Sequence, residues 1–245
     1  MTNVAIITAR AGSKSITNKN VHPIGGVPVI AHVIHAAQAA KKIDRVTCST
    51  DGELIASVCH EHGCEVIPRP EELGGDHINH GDVIKHAVEW VDARVPDVKN
   101  IVLLLGNTVM VDGALFDQAL QMLDDEPALD GVMSVWEAAD DHPLRAMQIG
   151  ADGQLSTYGG PREVSTERQS YPKAYYYDQG VWAFRKQSVQ RRDGPNPWWW
   201  MGKNVKPIVR PWITGRDING PFDVPFHEWW MQFPQVAAAI MKLKA

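Results

Sequence analysis

Val4–Asn20 reads VAIITARAGSKSITNKN. Its first five residues, Val4 to Thr8, are apolar or β-branched without interruption, too short a run for a helix and suited to a strand buried on both faces of a parallel sheet. The residues after it, Ala9 to Asn20, are small or polar and include Arg10, Lys14 and Lys19 but no acid. A loop leaving the carboxyl end of a strand can turn backbone N–H groups toward an anion, and Ala11, Gly12 and Ser13 permit close approach. Arg10, Lys14 and Lys19 can then neutralise a polyphosphate, arginine as a planar fork and lysine as a mobile point charge. The loop is neither a Walker A loop, since Gly-Lys-Ser/Thr is missing, nor a GxGxxG turn. On spacing alone, a solvated basic surface loop is the competing reading.

Outward from this stretch, strand and helix patterns alternate. His22 to Pro28 (HPIGGVP) punctuates a turn, and Val29 to Ala40 has apolar residues at helical spacing. A strand is expected over Arg45 to Ser49, running into Ser49-Thr50-Asp51, with Asp51 as the cap of a helix from about Gly52 to His62. Strands are expected at Glu65 to Pro68, Asn100 to Leu105 and Gly131 to Val135, and helices at His80 to Val91 and Leu115 to Leu123. This order predicts an α/β fold, a mostly parallel Rossmann-like sheet flanked by helices, with ligands bound beyond the carboxyl ends of the strands. Residues 137–178 are rich in Asp, Gly, Pro and Gln and read as an inserted lobe of short strands within a single domain spanning 1–245. Gly180 to Arg185 and Lys206 to Arg210 return to strand pattern, and His227 to Leu243 reads as a closing helix.

Composition narrows the function. A hydrophobic content of 44% with 22% charged residues excludes a disordered chain. No window approaches the roughly 18 uninterrupted apolar residues of a membrane span, and no secretory leader is visible, so a cytoplasmic protein without a membrane partner is expected. A formal net charge of −5 argues against a nucleic-acid groove, though not against a local basic pocket. Cys48, Cys59 and Cys64, odd in number and without CxxC spacing, suggest buried thiols rather than disulfides or a zinc site. His60 with His62, and His77 with His80, lack the convergent spacing of metal ligands and read as surface or core residues. Ser13 has no GxSxG elbow around it.

Ala9-Arg10-Ala11-Gly12-Ser13-Lys14, Lys19-Asn20, Gly25-Gly26-Val27-Pro28, Ser49-Thr50-Asp51, Arg69-Pro70 and Glu72-Leu73 occur in that order through the first part of the chain. As a set they resemble the cytidylyltransferases that make CMP-activated acidic sugars, the CMP-sialic acid and CMP-Kdo synthetases. The resemblance covers most of the first 135 residues and implies the nucleotide-diphospho-sugar transferase type of sheet. It implies that Ala9 to Lys14 and Lys19 surround the CTP phosphates, with Arg10, Lys14 and Lys19 catalytic, while Asn20 and Arg69 hold the nucleoside. The reaction implied is attack by the anomeric hydroxyl of a 2-keto sugar acid on the α-phosphorus of CTP, expelling pyrophosphate. Charge develops on the phosphoryl oxygens in such a transfer, and fixed cations supply much of the catalysis.

The resemblance extends to a metal and an acceptor. Arg216-Asp217-Ile218-Asn219 resembles the family's Asp-Ile-Asp segment, which implies Mg²⁺ on Asp217 with Asn219 at the partner position, where an amide carbonyl replaces a carboxylate. Asp223 reads as a helix cap before Val224 to Trp229, or as a further metal residue. Leu104-Leu105-Gly106-Asn107-Thr108-Val109 stands where sialic acid enzymes have Leu-Gln-Pro-Thr-Ser-Pro. Leu105 takes the place of a substrate-binding glutamine, with Asn107 and Thr108 still polar. Gln179-Gly180 matches the family's Asn-Gly, and Arg162 and Arg168 are candidates for the acceptor carboxylate. Trp198-Trp199-Trp200 reads as one pocket residue and two in core or interface, because three consecutive side chains cannot share a direction. These departures point to a pseudaminic-, legionaminic- or Kdo-like acid rather than ordinary sialic acid. A homodimer whose inserted lobe reaches the neighbouring site is also implied. The competing functions are a nucleotidyltransferase for a sugar phosphate or phosphonate, and a non-catalytic nucleotide-binding or regulatory protein.

Overall fold

The computed structural model describes residues 1–75, 77–160, 163–233, 235–236 and 239, with backbone alone at Arg168. In chain order, β1 (Thr2–Thr8) leads through the basic loop to a two-residue pairing of β2 (Pro23–Ile24) with β3 (Val27–Pro28). Then come α1 (Val29–Ala39), β4 (Arg45–Thr50), α2 (Glu53–Glu61), β5 (Glu65–Pro68), α3 (His80–Asp92), β6 (Val98–Leu105), α4 (Gly113–Asp125) and β7 (Gly131–Glu137). A small hairpin, β8 (Met147–Ile149) and β9 (Leu155–Thr157), precedes β10 (Tyr175–Arg185), α5 (Lys186–Arg191), β11 (Val205–Val209) and α6 (Asp223–Gln232).

Seven strands form one sheet in the order β11-β7-β10-β6-β1-β4-β5. All neighbours are parallel except β10, which runs antiparallel to both β6 and β7. β1 explains the arrangement. Val4 and Ile6 pack on one face with α3 residues such as Ile84 and Val91, while Ala5 and Ile7 pack on the other with α1, α2 and α4. Side chains alternate across a strand, so a run apolar at every position must be covered on both sides. Val4 to Ile7 are fully buried.

Three expectations are corrected. Asp51 does not cap α2: its N-cap is Gly52, without a side-chain hydrogen bond, and the Asp51 carboxylate turns instead to the basic loop, where it accepts from the Ala11 N–H at 2.8 Å. The helix expected over His227 to Leu243 begins earlier, at Asp223, and is broken after Gln232. The break falls at Phe233, with φ −123° and ψ 59°, because the residue before a proline, here Pro234 of the sequence, is driven out of the helical region. Residues 240–245 lie outside the described residues. Finally, Trp199 and Trp200 are both core residues, packed with Trp182 and Met201 under the sheet. Trp198 is half-buried against Tyr177, with ring centroids 4.7 Å apart, so none of the three lines the cavities described below.

Candidate active site

The carboxyl ends of β1, β4 and β6 converge. Ala9 N–H donates to Ser49 O at 3.1 Å and Gly106 N–H to Thr8 O at 3.0 Å, so the three exits are held side by side. A cavity of about 200 Å³ opens there, lined by Thr8, Ala9, Arg10, Ser13, Lys19, Asn20, Arg69, His80 and Asn107. It continues into a second cavity of about 260 Å³ along the loop, which adds Ala11, Gly12, Asp51 and the start of α2. Of the residues read as nucleotide-binding, these cavities gather all but Lys14, an exposed residue outside both linings.

The loop's shape is set locally. Gly12 has φ +70° and Asn18 φ +53°, left-handed conformations that glycine and asparagine tolerate. Asn20, buried at the pocket wall, donates from Nδ2 to Arg10 O at 3.1 Å, and so ties the end of the loop to its beginning. Arg69 is 9% exposed, although an isolated arginine is ordinarily a surface residue. Its Nη2 donates to Ser49 O at 2.7 Å and its Nε to Ser49 Oγ at 3.2 Å, which fixes the guanidinium at the cavity.

His80, expected to be a surface or core residue, closes the bottom of the first cavity. Its Nε2 lies 3.0 Å from Thr8 Oγ1, and Trp182 and Trp200 flank the ring. Burial, reinforced by the Arg69 charge, pushes the imidazole down to about 4, so it is neutral at physiological pH. Its helical position after Asn79, which caps α3 by accepting from Gly81 N–H, was legible; its direction into the site depends on tertiary packing.

Lys19 lines the loop cavities, Asp217 lines the aromatic cavity described below, and each feels the other's charge. Burial lowers the Lys19 ammonium, with the Asp217 charge opposing it most strongly. Burial likewise raises the Asp217 carboxyl, against the Asn107 hydrogen bond and the Lys19 charge. Asn107 Nδ2 donates to Asp217 Oδ2 at 2.8 Å, and Asn219 Nδ2 to Asp217 Oδ1 at 2.8 Å. Asp223 is neither a cap of the ordinary kind nor turned toward this group. Its Oδ2 accepts from the Asn219 and Gly220 N–H groups at 2.9 and 2.8 Å, and so sets the turn that presents Asn219.

Among the described residues no group of three or more His, Cys, Asp or Glu could hold a metal ion. That fits the Mg²⁺ mode in which one or two protein ligands combine with substrate phosphates and waters. Asp217 and Asn219, whose side chains are joined by a hydrogen bond, could offer such an ion a carboxylate and an amide oxygen.

On the far side of Asp217 lies a third cavity of about 300 Å³, walled by Trp136, Tyr176, Tyr177 and Trp212, with Gln179, Arg216 and Asn219 among its polar residues. Gln179 reaches it because β10 bulges. Tyr177 pairs with Val135 and Trp182 with Met133, so residues 178–181 leave the ladder. A buried network holds the bulge: the Asp178 carboxylate accepts from Gly180 N–H at 2.8 Å and Arg210 Nη1 at 3.1 Å, and also from the Ser134 hydroxyl. Gln179 Oε1 is buried without a hydrogen-bond partner. Thr108, buried, lies 3.5 Å from Gln179 O through Oγ1, and neither Thr108 nor Leu105 lines any of the three cavities. Arg162 and the side chain of Arg168 lie outside the described residues. The aromatic walls were not anticipated, since Trp136 and Trp212 come from separate segments that only the fold brings together.

A family model described as cytidylyltransferase matches residues 4–191. The chain belongs to the cytidylyltransferase family. It is 36% identical over 85 residues to the N-acylneuraminate cytidylyltransferase of Escherichia coli O18:K1:H7, a match covering 35% of this chain and 20% of that enzyme. It is 29% identical over 205 residues to the 3-deoxy-manno-octulosonate cytidylyltransferase of Brucella ovis, covering 80% of this chain and 78% of that one. In fold, this cytidylyltransferase is similar to a CMP:2-keto-3-deoxy-manno-octonic acid synthetase complexed with CTP, with a TM-score of 0.70 and 18% identity over 95% of this chain and 99% of that one. The expected α/β class and mostly parallel sheet are therefore correct.

Proposed function

We propose that this cytidylyltransferase couples CTP to an acidic 2-keto sugar, a nonulosonate or a Kdo-like acid, giving the CMP-sugar and pyrophosphate. The observation that carries the reading is that Asn107, which lines the loop cavity, donates to Asp217, which lines the aromatic cavity, so that substrates held in the two would meet at this boundary. The names of the E. coli and Brucella relatives support an acidic sugar as acceptor.

In this reading the triphosphate lies along residues 9–14 and Lys19, with the nucleoside against Asn20, Arg69 and His80. The acceptor hydroxyl forms a bond to the α-phosphorus, the bond from that phosphorus to the bridging oxygen breaks, pyrophosphate leaves, and the hydroxyl proton passes to solvent. Arg10 and Lys19 stabilise the charge that accumulates on the phosphoryl oxygens, in a partly buried setting where fixed charge is more effective than in water. Mg²⁺ held at Asp217 and Asn219 would supply further neutralisation of phosphate charge. Gln179 orients the acceptor, with Thr108 behind it against the Gln179 backbone, and the aromatic walls suit a sugar with an apolar face.

A homodimer and a cytoplasmic location belong to the same proposal. Met147, Ile149 and Leu155 on the β8–β9 hairpin are 54%, 74% and 68% exposed, and a two-stranded hairpin is at best marginally stable without a partner surface. None of the helices among the described residues is long and apolar enough to cross a membrane.

Incubation with CTP, Mg²⁺ and a panel of 2-keto sugar acids, sugar phosphates and phosphonates, with mass spectrometry of the products, tests the acceptor class. A CMP adduct of a 2-keto sugar acid supports the proposal. An adduct only with a sugar phosphate or phosphonate would replace it with the competing transferase reading.

A further inference from the structure

Asp51 is one of two acids, with Glu53, in a cavity that also holds Arg10 and Lys19. Such a charge opposes a triphosphate, and the same residue stands where it would ordinarily stabilise α2 as a cap, a role worth about 1 kcal/mol. It is exposed, yet it does not fill the cap. Its Oδ1 accepts from Ala11 N–H at 2.8 Å, while α2 starts from Gly52 with no side-chain cap.

The surroundings are built to hold it there. Gly74, in the turn that follows Arg69-Pro70, sits so close that a Cβ on it would lie 2.6 Å from Asp51 Oδ2 and 3.3 Å from Cγ. Gly74 has φ −89° and ψ −15°, ordinary backbone that alanine adopts freely, so what a side chain there would meet is the Asp51 carboxylate first and the Glu71 carbonyl, at 3.3 Å, second. Gly52 similarly leaves room for Ala11, whose Cβ would be 3.2 Å from a Cβ at that position. Burial lowers the Arg69 guanidinium, and the Asp51 charge is the largest influence opposing it. One carboxylate therefore touches the phosphate loop, adjoins the turn that carries Arg69, and compensates Arg69 itself.

We infer that Asp51 is the positioning residue of the nucleotide site: clamped between Gly74 and Ala11, it sets the phosphate loop in register with the Arg69 turn. It acts through the loop rather than by touching the nucleotide, and the inference rests on the reading of these cavities as a CTP site. Asparagine at position 51 offers the same acceptor oxygen to Ala11 N–H without the negative charge, whereas alanine offers none.

Calorimetric titration of CTP and of CMP into wild type, Asp51→Ala, Asp51→Asn, Gly74→Ala and the Asp51→Ala/Gly74→Ala double variant tests this. Loss of the clamp should weaken CTP binding by about tenfold, the scale of one hydrogen bond to a charged group, and weaken CMP much less, because the loop addresses the outer phosphates. Asp51→Asn should bind CTP at least as tightly as wild type. Gly74→Ala should weaken CTP in the wild-type background and have a markedly smaller effect once Asp51 is alanine, where only the Glu71 carbonyl at 3.3 Å still crowds the new Cβ. Unchanged CTP binding in Asp51→Ala, equal losses for CTP and CMP, no rescue by asparagine, or a Gly74→Ala effect of the same size in both backgrounds would each overturn the inference. Absence of CTP binding by the wild-type protein is a separate result, and would overturn the nucleotide reading on which the inference stands.

Discussion

Asn107, just past the end of β6, donates its side-chain amide to Asp217 at 2.8 Å, bridging 110 positions of sequence. The bond is reinforced by Ile218 N–H, which donates to Asn107 O at 3.0 Å. The loop leaving the central strand thus fixes Asp217, and this one contact joins the wall of the loop cavity, at Asn107, to that of the aromatic cavity, at Asp217.

Replacing Asn219 is the most informative change at this boundary. Asn219→Asp adds a carboxylate beside Asp217 and should lower the Mg²⁺ concentration needed for half-maximal activity, while Asp217→Ala should raise it severalfold or abolish turnover. Mg²⁺ titration of pyrophosphate release checks both, and an unchanged titration for Asp217→Ala would remove it from the metal site.

Lys19→Ala should lower kcat by about a hundredfold or more, the usual scale for removing a fixed charge from a developing oxyanion, with its circular dichroism unchanged. Because burial lowers the Lys19 ammonium, it loses its proton at lower pH than an ordinary lysine, so activity should fall early on the alkaline side. Lys19→Arg should move that alkaline limb upward.

His80 gives acid sensitivity with a defined sign. Folded, it takes a proton only near 4, against an ordinary value of 6.5. Between those values the unfolded chain binds more protons, so stability falls as pH drops from about 6.5 toward 4 and levels off below. This group alone should cost about 2 kcal/mol between pH 7 and pH 5. Urea unfolding at the two pH values should show His80→Gln losing that much less than wild type.

Gln179→Ala should raise the acceptor KM while leaving the CTP KM within about twofold, since Gln179 lines the aromatic cavity and not the loop cavities. Steady-state kinetics with each substrate varied in turn separates the two effects.

The sheet and its helices were legible because their signals are local. β1 is apolar from Val4 through Ile7, α3 and α4 carry helical periodicity behind the caps Asn79 and Asp112, and Gly and Pro mark the turns. The basic loop that lines the cavities at the end of β1 was legible for the same reason, its cations lying within one short stretch. Less could be read where a residue's role depends on a distant partner. Asp51 has the sequence position of a helix cap, yet Ala11 N–H competes for its carboxylate and wins. Trp200 sits in an aromatic run that suggests a pocket, but the core under β10 takes it. The acceptor walls come from Trp136, Tyr176 and Trp212, which no spacing rule connects.

The most direct test of the central claim is nucleotide-dependent pyrophosphate release, measured with CTP, UTP, ATP and GTP in turn, in the presence of Mg²⁺ and the 2-keto sugar acids. The account predicts release with CTP that depends on both the sugar acid and Lys19. Release with another nucleotide in preference to CTP, or none with any of the four, would contradict it.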